Sequence, residues 1–133
     1  MVTIEQLIST TRAAHPRILA NARQVSVTLK KARKRKDADG DPYQEVTAIC
    51  RGATIPRNVT MKIYGRGDKN SKIWASCDCE WFLYYCEVAL TKRGSSEVIY
   101  SNGKDPKITN PRKLSVACKH ILSCILHGLH KAK

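Results

Sequence analysis

A chain of 133 residues, 42% of them hydrophobic, is long enough for one domain with a modest core and too apolar for wholesale disorder. It has no apolar run near the roughly 18 residues that suggest a membrane span and no charged-then-apolar export pattern at its start. We therefore expect a chain that is neither secreted by a signal peptide nor membrane-bound, with no small-molecule substrate in view. The net charge of +13 favours an anionic partner, nucleic acid or an acidic protein face. The charge is uneven: residues 1–36 hold nine Lys or Arg against the single acid Glu5.

Taken in order, Thr3-Ile4-Glu5-Gln6 fits a capping box, with Thr3 capping and Gln6 reaching back. Ile4, Leu7 and Ile8 then make an apolar helical stripe, which should stop before Pro16 because the residue preceding proline disfavours helix. Val25, Val27 and Leu29 alternate with Ser26 and Thr28, the pattern of a strand. The run Lys30, Lys31, Ala32, Arg33, Lys34, Arg35, Lys36 follows. Its six cations repel one another, so it is expected as a solvated loop or a contact site for nucleic acid or an acidic protein. Asp37-Ala38-Asp39-Gly40-Asp41-Pro42 reads as a turn. It is not a calcium loop: its glycine falls at the fourth position, and Ala48 stands where a bidentate Glu is required.

Three strands are expected next, over 45–51, 58–64 and 72–77, with the glycine-rich stretch 65–71 as the connection between the last two. Glu80 to Lys92 has good helix formers and meets a C-terminal cap at Gly94. Trp81, Phe82, Tyr84 and Tyr85 surround that helix, which should be largely buried. Val98-Ile99-Tyr100 and Lys107-Ile108-Thr109 flank a turn-rich loop over 101–106. A last helix capped by Ser115 should run to about His130, with Leu122, Ile125, Leu126 and Leu129 as its core stripe. The predicted class is α+β: a small antiparallel sheet with N-terminal, central and C-terminal helices. We divide it into a basic helix/strand arm over 1–36 and an α+β domain over 37–133.

The chemistry concentrates between Trp74 and Leu90, which holds three of the six cysteines and five of the eight aromatic residues. Cys77 and Cys79 are two apart, and in an extended segment such residues point to one side. Two thiolates are half of a tetrahedral shell. Cys118 and His120 supply the other half and complete a Cys3His set, a usual structural zinc shell. Residues two apart on a helix lie about 200° apart, so Cys118 and His120 can share one ion only if Cys118 sits at the very start of the last helix. Cys86, Cys124 and His127 stand open as substitutes for one ligand. For these three and for Cys50, the alternative is a core position, since free cysteine behaves as a small buried hydrophobe. His15 and His130 show no partner in the sequence and are expected at the surface. Without export, the thiols should stay reduced and available to metal. For the same reason the acceptor-like Asn58-Val59-Thr60 is discounted.

The order CxC then CxH resembles the SWIM-type zinc finger, over residues 74–127. That resemblance implies Cys77, Cys79, Cys118 and His120 as ligands of one structural Zn2+, the first pair on a strand or hairpin and the second at a helix start. The wording of residues 79–120 is similar to that of small SWIM-type zinc proteins of tailed bacteriophages. It implies a non-enzymatic structural component of a particle, at the neck, tail or baseplate, found in the virion or the host cytoplasm and contacting other protein subunits. The family's association with DNA implies an alternative, a nucleic-acid-binding module that uses Lys30, Lys31, Arg33, Lys34, Arg35 and Lys36. No Ser/His/Asp order, phosphate-binding glycine loop or deaminase signature suggests an enzyme.

Overall fold

The computed structural model describes residues 1–52, 55–97 and 114–128. The chain enters through a two-residue strand, β1 (Val2–Thr3), and turns directly into α1 (Ile4–Ala14). Thr3 makes the expected capping box: its hydroxyl accepts from the Gln6 N–H and the Gln6 side chain accepts from the Thr3 N–H. Ile4 and Leu7 are buried on this helix. Pro16 ends α1 as predicted, and then does more. It occupies the first turn of a second helix, α2 (Pro16–Ala22), where its fixed φ suits helix and its missing N–H costs nothing.

The sheet follows as β2 (Ser26–Lys36), β3 (Pro42–Arg51), β4 (Arg57–Tyr64) and β5 (Lys72–Cys77). Its spatial order is β1-β5-β4-β3-β2 with every pair antiparallel, so the fold is the expected α+β. One expectation is corrected. The run Lys30 to Lys36 is not a loop but the outer half of β2, paired residue by residue with β3 from Lys31↔Thr47 to Lys36↔Pro42. The like charges tolerate this because alternate side chains leave opposite faces of an edge strand. Lys30 falls at a register shift between Leu29 and Lys31. The turn after it forms as read: Asp37 Oδ1 accepts from the N–H groups of Asp39 and Asp41, and Gly40 takes φ 85°.

Strand parity places the core. Val46, Ala48 and Cys50 on β3, Val59, Met61 and Ile63 on β4, and Ile73, Ala75 and Cys77 on β5 are all buried. They share one face of the sheet, as the register Val46↔Met61↔Ala75 requires. The helices cover that face. After β5 the chain makes a π-helical turn (Phe82–Cys86) and continues as α3 (Glu87–Lys92). The predicted single helix is thus divided by one extra residue in its ladder, with the Glu87 N–H reaching back to the Phe82 carbonyl. Phe82 and Cys86 are both fully buried. Gly94, at φ 72°, closes α3 as expected: its N–H meets the Thr91 carbonyl while the Ser95 N–H meets that of Leu90, a Schellman arrangement.

The last described helix, α4 (Lys119–Leu126), packs across β2 to β5 and against α2. Ser115 does not cap it. Cys118 occupies that position, and the Ser115 side chain is buried three residues earlier. Leu122 and Ile125 lie in the core, whereas Leu126 is 43% exposed. The segments 98–100 and 107–109, the loop between them, Leu129 and His130 fall outside the described residues.

Candidate metal centre

Cys77 is the last residue of β5 and faces the core opposite Val59. The next residue fixes the turn. The Asp78 carboxylate accepts from the Asn58 N–H and from Asn58 Nδ2, both at 3.0 Å, and Arg57 Nη1 donates to the Asp78 carbonyl at 3.2 Å. With Asp78 held on the β4 side, Cys79 returns toward the core. There its Sγ accepts from the Phe82 N–H at 3.4 Å and its carbonyl accepts from the Leu83 N–H at 3.2 Å. Cys79 therefore sits at the N-terminal end of the helical segment, where a thiolate is stabilised by free N–H groups.

The second pair comes from α4. Cys118 has extended backbone, φ −75° and ψ 166°, and His120 lies in the first turn after it. This meets the geometric condition set by the sequence, because a capping residue outside the helix escapes the 200° separation. The approach to Cys118 is fixed from far away: the Ala117 N–H donates to Thr11 Oγ1 at 3.0 Å, and Thr11 Oγ1 donates to the Leu7 carbonyl at 2.8 Å.

The donor atoms of Cys77, Cys79, Cys118 and His120 all lie within 4.8 Å of one another, and all four residues are buried. Cys77 Sγ is 3.8 Å from His120 Nδ1. A tetrahedron with arms of about 2.3 Å has edges of roughly 3.8 Å, so the donor set fits one tetrahedral ion. The thiols also show what a cation would do. Hydrogen bonds from Cys118 and then Cys77 hold the Cys79 thiol far below its usual range. Burial, and then hydrogen bonds to Cys77 and Cys79, push Cys118 well above it. A dication is needed to hold three thiolates together in so little water.

The other candidates lie elsewhere. Cys86 is fully buried and desolvation pushes its thiol up. Cys124 faces Cys50 with sulfurs 3.6 Å apart, and Cys50 also points at the His120 carbonyl at 3.6 Å. His127 Nδ1 lies 2.8 Å from the Ser123 carbonyl. All six cysteines are free and buried. His15 departs from expectation: it is half-buried, with its ring edge-on to Trp81 at 5.2 Å and to Tyr85 at 5.5 Å, while those two stack at 4.4 Å. The six basic residues of the 30–36 run line the sheet edge and are exposed, Arg35 reaching Glu45 at 3.5 Å. No helix among the described residues is long and apolar enough to cross a membrane. No family model, curated protein or solved structure matches the chain.

Proposed function

We propose that this chain is a non-enzymatic zinc-stapled assembly module, a SWIM-type finger in which one Zn2+ joins the end of β5 to the start of α4. The observation that carries the reading is the convergence of four buried donor atoms within 4.8 Å, from two segments separated along the chain by 38 residues. Three thiolates and one imidazole suit zinc. Four protein ligands close the shell, leaving no position for water or substrate, so the ion's role is structural. The CxC…CxH order and the wording of residues 79–120 support a component of a tailed-phage particle that meets other protein subunits.

Native mass spectrometry of the purified chain tests the staple. One zinc per chain, removed by a chelator and absent from Cys79→Ser, is the expected outcome. Metal retained at full occupancy by Cys79→Ser would overturn the ligand set. Proteomics of purified particles tests the assembly role, which fails if the chain is absent from them.

A second reading, contact with nucleic acid, is favoured by one observation: the six cations lie on β2, the outermost strand of the sheet among the described residues, extended and exposed. Lys and Arg in that setting bind phosphates without reading sequence.

A further inference from the structure

The face of the sheet turned away from the helices carries an ordered set of aromatic and cationic side chains. Register defines two rows across it. Arg33 pairs with Glu45, Glu45 with Lys62, and Lys62 with Trp74; one step along, Arg35 pairs with Tyr43 and Tyr43 with Tyr64. Within this set the Tyr43 and Tyr64 ring centroids lie 5.3 Å apart. Lys62 Nζ sits 4.5 Å from the Trp74 ring centroid and 5.6 Å from that of Tyr43. The three rings thus form one patch bridged by a cation. All three are half-buried rather than buried, while Lys31, Arg33 and Arg35 alongside are exposed. On the same face Ser76, two residues beyond Trp74, is buried, whereas the end that carries the three rings stays open to solvent.

We propose that this face is a stacking platform for a single strand of nucleic acid, with unpaired bases on Tyr43, Tyr64 and Trp74 and the phosphate backbone along Lys31, Arg33 and Arg35. The proposal rests on the second reading above, that the chain contacts nucleic acid, and deepens it by naming the surface and the form of the ligand. Two features argue for a single strand. Base stacking on aromatic rings needs base faces that a duplex hides, and platforms of this kind join rings to a basic track. The alternation of β2 puts Lys31, Arg33 and Arg35 on the same side as the rings, spaced by roughly 6.7 Å. Cations outnumber acids on this face: Glu45, the acid within the two rows, is matched by Arg35, and Asp37, which lies against the Tyr64 hydroxyl, also accepts the backbone N–H groups of Asp39 and Asp41 in the hairpin tip.

Fluorescence anisotropy on the zinc-loaded full chain tests this, with labelled oligo-dT and oligo-rU of about 12 nucleotides, a usual site size for such platforms, and a duplex of equal length. We expect either single strand to bind at least about tenfold tighter than the duplex, and Trp74→Leu and Tyr43→Leu each to weaken it about tenfold. A salt slope near −2 is expected from three phosphate contacts on a single strand. Because Trp74→Leu could disturb β5, a Trp81→Phe chain serves as the second arm. It leaves Trp74 as the lone tryptophan, and its emission should fall as oligo-dT stacks. Equal affinity for duplex and single strand, with Trp74 emission unmoved but binding abolished by neutralising 30–36, would overturn the platform and leave the second reading standing. If no oligonucleotide binds, both fall.

Discussion

The Thr11 hydroxyl joins two places 106 positions apart in the chain. It donates to its own helix and accepts the N–H of Ala117, the residue before Cys118, at a site with no solvent exposure. Thr11→Val keeps the shape and leaves the Ala117 N–H buried without an acceptor, which costs about 1–3 kcal/mol. We expect Thr11→Val to melt at least roughly 3 °C lower and to yield zinc more readily to a competing chelator, with Thr11→Ser restoring both. A Thr11→Val chain that melts and holds metal like the parent would show that Cys118 is positioned by other contacts. Nothing in the sequence marks Thr11, because a helical threonine has no local sign of a distant acceptor role. His15 and the Cys50–Cys124 contact were illegible for the same reason. The four donor residues were legible because two short spacings encode them: C-x-C at the end of a strand, and C-x-H at a helix start. The capping box at Thr3 was equally visible, being contained within four residues.

Among the elements, those set by local signals agree with their sequence reading. β3, β4 and β5 follow alternation, α1 stops at Pro16, and α3 stops at Gly94. The basic half of β2 does not, and the reason is physical. Six cations in seven positions suggest repulsion in a loop, but on an edge strand same-side neighbours are roughly 6.7 Å apart and open to solvent. β3 supplies the hydrogen bonds that hold the strand extended. Such an edge would otherwise recruit another strand, and lysines on it are a common defence. Replacing all six basic residues of the run by threonine, a good strand former, should therefore leave the circular dichroism spectrum and zinc content unchanged. The same variant should weaken contact with an anionic partner and begin to self-associate in sedimentation velocity. If it stays monomeric at every concentration, the charges do not guard the edge. The π turn was likewise invisible. Helix propensity is the same for α and π turns, and the extra residue fits the packing: Cys79 converges with Cys77, Cys118 and His120 while Phe82 and Cys86 both enter the core.

At the scale of the whole molecule, a metal bound by the four residues would reach well beyond its ligands. The proposed ligands sit at the junction of β5, the segment entering the π turn, and α4, and α4 in turn covers the core face of β2 to β5. Ile121, Leu122 and Cys124 on α4 are fully buried against that face. Zinc binding to such a set is worth on the order of 10 kcal/mol, as large as the whole stability of many domains. Three buried thiolates without a cation would moreover repel one another where little water reaches them. Removing zinc should therefore release α4 and, with it, the cover of the sheet. Hydrogen exchange followed by mass spectrometry reads this directly. In the zinc-loaded chain the amides of Val46, Ala48, Val59 and Met61, in the two central paired strands, should be the slowest to exchange. After chelation they should exchange within the dead time, and added zinc should restore their protection. Loss of protection confined to residues 77–82 and 118–122, with β3 and β4 still slow, would instead make the ion a local clip on a sheet that stands by its own packing.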